Sequence, residues 1–182
     1  MASPAHVEQV ANRLGAAALT LSDRVRDATE EATGKAGGVP AALVSLHVWA
    51  DGKSVDVLAE AMRVSHSRAV RIVDSLEAAG LVRREPDPSD GRRALVRLEP
   101  AGRELAQRAL EARSGALTAT VARLDAADVR DLDRLIGALL DATTVDTRAA
   151  METCRLCDAH VCGHYEGTCP VTQAADRRRA AA

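Results

Sequence analysis

The chain has 182 residues, enough for one domain with a short appendage. It is 47% hydrophobic but only 1% aromatic, and most of the apolar content is Ala and Leu, which favours closely packed helices. A formal net charge of −2 excludes a uniformly basic surface, so any charge for a polyanion has to be local. No stretch reaches the ~18 apolar residues that a membrane span needs. The N-terminus, MASPAHVEQV, lacks the basic and hydrophobic blocks of a signal peptide. The expected location is the cytoplasm, with no membrane partner, where structural disulfides are uncommon.

In chain order, residues 6 to 33 read as a first helix, with Val7, Val10, Leu14, Ala17, Ala18, Leu21 and Val25 along one side. Thr33 to Gly38 is a glycine-rich loop, and Pro40 starts a helix that includes Leu43, Leu46 and Val48. Val55, Leu58, Ala59 and Met62 then fall at i, i+3, i+4 and i+7, one stripe of a short helix with Ser54 as its N-cap. Ser65 caps a further helix whose buried stripe is Ala69, Ile72, Val73 and Leu76, and Gly80 ends it where a left-handed residue is needed. Its opposite face carries Ser67, Arg68 and Arg71, with Ser65 and His66 at the leading end. Arginine binds guanine edges in bidentate fashion, serine serves bases or phosphates, and His66 suits a phosphate or base contact. Taken alone, the same residues also describe an ordinary solvated helix face.

The segment that follows favours the DNA reading. Leu81 to Arg83 begin a strand, Ala94 to Leu98 alternate as a half-buried return strand, and Glu85-Pro86-Asp87-Pro88-Ser89-Asp90-Gly91 forces the turn between them. Arg92 and Arg93 follow at the tip, where a basic pair has no packing role and Asp90 can orient one guanidinium. From residue 63 to residue 103 there are nine arginines against six acids. A polar helix beside an arginine-tipped hairpin fits double-stranded DNA, with the helix in the major groove.

These motifs resemble the DNA-binding domain of MarR-family regulators. The corresponding residues are Leu58-Ala59, Val64-Ser65, the run Val73 to Arg84, and Asp90-Gly91-Arg92, within residues 40 to 103. The resemblance implies a dimeric transcriptional regulator on a palindromic operator, often repressing its own promoter. By position it implies Ser65, Ser67, Arg68 and Arg71 in the major groove and Arg92 in the minor groove. Glu99 departs from the family pattern, which commonly has a threonine there, yet its charge still suits a helix N-terminus.

Pro100 starts a long helix to about Leu124, and Asp125 begins another with Val129, Leu132, Leu135, Ile136, Leu139 and Leu140 on its apolar side. The first and last helices carry more apolar face than a small winged domain covers, which points to a homodimer. The expected fold class is mainly α with a small β-hairpin wing: a winged helix-turn-helix domain plus a helical dimerisation region. The expected divisions are 1–39 (dimerisation helix), 40–100 (DNA-binding domain), 101–150 (dimerisation helices) and 151–182 (a cysteine-rich metal or redox module and flexible tail). Within that tail, Arg177-Arg178-Arg179 reads as frayed and solvated.

All four cysteines lie within sixteen residues, as Cys154, Cys157, Cys162 and Cys169. The tight Cys154–Cys157 turn and the flexibility of Gly163 and Gly167 bring four thiolates toward one centre. Such a set suits an iron–sulfur cluster or Zn2+, and the spacing does not choose between them. A thiol–disulfide switch without metal is a third possibility, and His160 or His164 can replace one cysteine. This tail is not part of the shared family pattern. With no Phe, one Trp and one Tyr, an aromatic-lined effector pocket is poorly supported, so whether a small-molecule effector exists stays open; Trp49 suits a core or interface anchor better than a pocket wall. No catalytic constellation is apparent, and an enzyme is not expected. The favoured reading is a sequence-specific regulator, a repressor by family analogy, that senses metal or redox state through the cysteines. The competing reading is an electron-transfer or metal-binding protein on a helical scaffold.

Overall fold

A computed structural model describes residues 3–90 and 93–181, so Arg92 and Gly91 lie outside the described residues. Helix α1 (Pro4–Thr33) begins where the Ser3 hydroxyl accepts a hydrogen bond from the His6 amide, and it runs along α5 (Pro100–Val121). Only Thr29 and Thr33 of α1 are buried; Val7, Val10, Leu14 and Leu19 stay exposed. Helix α2 (Val39–Ser45) passes into a π-helical turn over Leu46–Ala50 that carries Trp49.

The winged unit follows as β1 (Lys53–Ser54), α3 (Val55–Met62), α4 (His66–Ala78), β2 (Val82–Pro86) and β3 (Ala94–Leu98). The antiparallel sheet has the order β1-β3-β2, with Val82 opposite Leu98 and Pro86 opposite Ala94. The two-residue β1 is not legible in the sequence pattern; it pairs Lys53 with Val96, beside an Asp51 carboxylate that accepts the Leu98 amide at 2.8 Å. The turn between α3 and α4 is made by Arg63 in the left-handed region at φ 55°. Ser65 caps α4 as expected, its hydroxyl accepting the Arg68 amide at 3.3 Å, whereas Ser54 stands at the N-cap of α3 without a side-chain bond. Gly80 closes the α4–β2 corner at φ 68°.

The core lies between α2, α3, α4 and the sheet, with Leu43, Leu46, Leu58, Val73, Leu76 and Val96 at most 1% exposed. Each side chain of this size contributes about 1.5–3 kcal/mol when withdrawn from water. The α4 stripe Ala69, Ile72, Val73 and Leu76 is buried, as its periodicity requires.

Helix α6 (Ala126–Thr143) is capped by Asp125, which accepts from the amides of Ala127 and Asp128, and it has no buried residue. Two more helices complete the chain: α7 (Thr147–Cys154) against α3, and α8 (Pro170–Ala180) against α6 and α7. The arginine run expected to be frayed is instead the last turn of α8. Arg177 and Arg178 pair with Asp141, and Val171, Ala174 and Ala175 are buried beneath them. Val171, Ala174 and Ala175 fall at i, i+3 and i+4, but one Val and two Ala make too short and too small a stripe to announce this packing in the sequence. Among the described residues, no helix is long and apolar enough to cross a membrane.

Gly102 fixes how α5 meets the wing. A Cβ there would sit 2.1 Å from the Leu81 carbonyl oxygen and 2.9 Å from Leu98 Cδ1. The Leu81 carbonyl also accepts the Glu99 amide at 2.9 Å, so backbone rather than a yielding side chain blocks the space. Gly102→Ala is expected to lower stability by about 1–3 kcal/mol, read as a lower urea midpoint with an unchanged m-value; an unchanged midpoint would show that α5 can shift away.

Candidate functional site

The outer face of α4 follows directly from its buried inner face. With Ala69, Ile72, Val73 and Leu76 turned inward, Ser65, His66, Ser67, Arg68 and Arg71 are exposed together on the surface. Two of these are partly committed to local structure: Ser65 Oγ lies 3.2 Å from Ser67 Oγ besides capping α4, and His66 Nδ1 lies 2.7 Å from the Asp56 carboxylate. Arg68 and Arg71 have no carboxylate partner among the described residues, and the Arg68 guanidinium stands beside the Gly37 backbone.

Other arginines of the 63–103 stretch are spoken for. Arg83 pairs with Glu85 and Glu99, Arg84 with Asp74 and Glu77, and Arg97 with Asp51 and Glu85. The hydrogen bonds from Arg83 and Arg97 hold the Glu85 carboxyl below its ordinary range, so this carboxylate stays charged. Of the described arginines in this stretch, Arg68, Arg71 and Arg103 are left without a carboxylate partner, so the positive charge counted in the sequence is narrower in space. At the hairpin tip the Asp87 carboxylate accepts from the Ser89 amide and hydroxyl, and Arg93 lies 3.5 Å from Asp90. Arg92, the residue expected at the minor groove, is outside the described residues. Its partner in that expectation, Arg93, is exposed at the tip.

A second site lies where α7 packs beside α3. Cys154 ends α7, and turns place Cys157 and Cys162 next: the Cys157 amide donates to the Cys154 carbonyl at 3.0 Å and the Cys162 amide to that of Asp158 at 3.0 Å. Gly163, at φ 79°, folds the loop back so that the Cys169 amide reaches its carbonyl at 3.1 Å. A Cβ at Gly163 would meet Thr168 Oγ1 at 2.1 Å. All four cysteines line one pocket of about 420 Å³, together with Trp49. Among the described residues, no three His, Cys, Asp or Glu side chains converge closely enough to hold a single ion. Trp49, read from sequence as an anchor, both packs on the core and lines this pocket, and its Nε1 is buried without a hydrogen-bond partner. His164 is a lining residue whose Nδ1 lies 2.9 Å from Thr172 Oγ1, while His160 is outside the lining and packs on Tyr165 at a ring distance of 4.9 Å.

Burial, with the neighbouring sulfurs adding to it, pushes the Cys154 thiol up to about 11 and that of Cys162 up to about 12; Cys157 is raised for the same reason. Cys169 moves the other way. Burial raises it, but at the N-cap of α8 the amides of Thr172 and Val171 and the Thr172 hydroxyl outweigh that and favour its thiolate. Four sulfurs facing one space repel as anions, so they ionise together only around a cation.

The pocket is joined to both halves of the molecule. Arg63, the residue of the α3–α4 turn, reaches Glu152 of α7 at 3.4 Å, and the buried Ser45 hydroxyl donates to the Arg155 carbonyl at 3.2 Å. Leu156 packs on Val44, Ala109 and Leu110. On the far side Arg178 donates to the Asp141 carbonyl at 2.9 Å, tying α8 to α6.

The sequence model described as the MarR family matches residues 50–93. No curated protein sequence matches the chain. Among solved structures, a MarR family protein from Bacillus stearothermophilus superposes with a TM-score of 0.69 at 22% identity, over 79% of this chain and 99% of that one. CouR from Rhodococcus jostii RHA1, solved bound to p-coumaroyl-CoA, gives 0.59 at 26% identity over 75% and 95%. Wild-type MarR from E. coli in its apo form gives 0.59 at 21% identity over 70% and 96%. The family match lies on the helix-turn-helix and wing, and the superpositions span nearly all of each of those proteins but 70–79% of this chain. The chain shares the winged-helix fold of these MarR-family structures, and its helix-turn-helix and wing match the MarR family model.

Proposed function

We propose that this protein is a transcriptional regulator, acting as a homodimer on a palindromic operator as a repressor, and that its signal enters through the C-terminal cysteines by metal occupancy or thiol oxidation. The observation that carries the reading is the outer face of α4: Ser67, Arg68 and Arg71 project from a helix whose other side is core, and the two guanidiniums are without carboxylates among the described residues while Arg83, Arg84 and Arg97 are neutralised. A helix face that leaves Arg68 and Arg71 without carboxylates among the described residues, beside an arginine-tipped wing, suits phosphate and guanine contacts. Ser65, His66, Arg92 and Arg93 complete the proposed contact set, with His66 held through Nδ1 by Asp56.

Dimerisation is supported by α1 and α6. Val7, Val10 and Leu14 on one, and Leu135, Ile136 and Leu139 on the other, are each 44–55% exposed, and α6 buries no residue against its own chain. A second copy related by a two-fold axis would cover both faces and set the spacing of two α4 helices. Signalling from the cysteines is supported by the position of α7 on α3 and of α8 on α6, which lets a change at the pocket act on the angle between winged unit and dimer region. An electron-transfer or metal-binding protein accounts for the pocket but gives α4 and the wing no role.

Arg68→Ala and Arg71→Ala are each expected to weaken binding to the promoter of the protein's own gene by about 1–3 kcal/mol and to relax sequence preference. Fluorescence anisotropy across a salt series checks this, and wild-type affinity is expected to fall steeply with salt. Equal affinity of the wild type for promoter and bulk genomic DNA would defeat the regulator reading. Ile136→Asp on α6 is expected to give monomers in sedimentation equilibrium; an unchanged dimer mass would place the interface elsewhere. Oxidant or chelator is expected to change promoter affinity in the wild type, with no response in Cys157→Ser.

A further inference from the structure

We propose that Arg63, in the turn between α3 and α4, is a positioning residue for DNA binding: paired with Glu152 it ties that turn to α7, and the tie carries the state of the cysteine segment to the pose of α4. The tie itself belongs to the free chain. Its part in signalling deepens the reading of the cysteines as the point of signal entry and rests on that reading.

The backbone gives the first observation. Arg63 ends α3 in the left-handed region, at φ 55° and ψ 45°. Its amide donates to the Glu60 carbonyl at 3.1 Å and the Val64 amide to that of Ala59 at 3.0 Å, the paired bonds of a helix end at which glycine is the usual residue. A side chain there crowds its Cβ against the backbone, a cost that glycine avoids. Among the described residues every other positive-φ position is a glycine, including Gly80 at the far end of α4. The one departure falls at the turn that aims α4, and a side chain kept against that strain needs something to reach.

What it reaches is on α7, which packs against α3. Arg63 Nε lies 3.4 Å from Glu152 Oε2, and Arg148 Nε lies 3.2 Å from the other carboxylate oxygen. The Arg63 side chain is largely in solvent, but that of Glu152 is only 18% exposed, so the carboxylate is fixed in place and the guanidinium comes to it. The end of α7 is anchored as well. The buried Ser45 hydroxyl donates to the Arg155 carbonyl, and the Arg155 guanidinium donates to the Glu152 carbonyl. Cys154 stands in the chain between Glu152 and Arg155. A shift of Cys154 therefore moves Glu152, and the pull arrives at the residue that joins α3 to α4. A phosphate of bound DNA is the other anion that suits Arg63, and the two roles leave different marks.

The test uses the full chain with Glu152→Gln, with Arg63→Asn, which tolerates the left-handed backbone but is too short to reach α7, and with both. In the free protein, hydrogen–deuterium exchange is read across the α3–α4 turn and the start of α4, corrected for intrinsic rates. Each single variant is expected to speed exchange about two- to fivefold, the range of a partly exposed ion pair, and the double variant no further. Arg148→Gln, which removes only the neighbouring partner of Glu152, is expected to leave it unchanged. Unchanged exchange in Glu152→Gln, or an additive double variant, overturns the tie whether or not the protein recognises a promoter. Promoter affinity is then measured with and without hydrogen peroxide or a chelator. A wild-type response that is lost in both Arg63→Asn and Glu152→Gln, with the salt dependence of Glu152→Gln unaltered, is expected. A response retained in both variants overturns the relay and leaves cysteine sensing in place. A salt slope lower by about 1 in Arg63→Asn, with the response intact in Glu152→Gln, assigns Arg63 to a phosphate instead and also overturns the relay. A wild type that answers to neither reagent removes the sensing reading and the relay with it, while the exchange rates still decide the tie.

Discussion

The buried stripe of α4, closed against α3 and the sheet, is the constraint from which the molecule's outward chemistry follows. A helix that commits Ala69, Ile72, Val73 and Leu76 to the core has no rotational freedom left, because turning it would expose one side of that stripe and bury charge on the other. Ser67, Arg68 and Arg71 are therefore held outward by hydrophobic burial, not by contacts of their own. The same core sets the wing, since Val82, Val96 and Leu98 belong to it and carry the hairpin with them.

Around this core the charges are sorted rather than pooled. Arg83, Arg84 and Arg97 make local ion pairs along the sheet and the end of α4, and exposed pairs of this kind add little to stability. Their effect is on the field: carboxylates close to those three guanidiniums cancel positive potential along the hairpin stem and leave Arg68 and Arg71 of α4 without local carboxylates among the described residues. For binding a polyanion, that arrangement favours register over general stickiness.

Much of the winged unit was legible because its determinants are local. An i, i+3, i+4 stripe, a serine ahead of a helix, a glycine after it and a proline-rich turn are all short-range statements, and the structure follows them at Ser65, Gly80 and the hairpin. What was not legible depends on residues far apart in the chain. Nothing near Arg97 announces Asp51, nothing near His66 announces Asp56 on another helix, and the two-residue β1 exists only because β3 offers it an edge. The C-terminal region was read for its cysteines but not for its docking. The clustering of four thiols is visible in any alignment of letters with distance, whereas the seating of α7 on α3 and the burial of alanines beneath Arg177 and Arg178 are tertiary facts. Trp49 could be placed beside the pocket only once the π-helical turn had been seen to present it there.

The last cysteine is also the first residue of a rod. Cys169 is the N-cap of α8, whose 11 residues run on to Arg177 and Arg178 at the Asp141 anchor. At about 1.5 Å per residue such a helix is stiff along its whole length, so a small tilt imposed at the sulfur is magnified at the far end. Under the proposed signalling role, the thiol pocket would serve as a fulcrum with a lever already resting on α6, and leverage of that sort needs no unfolding to move the parts it joins.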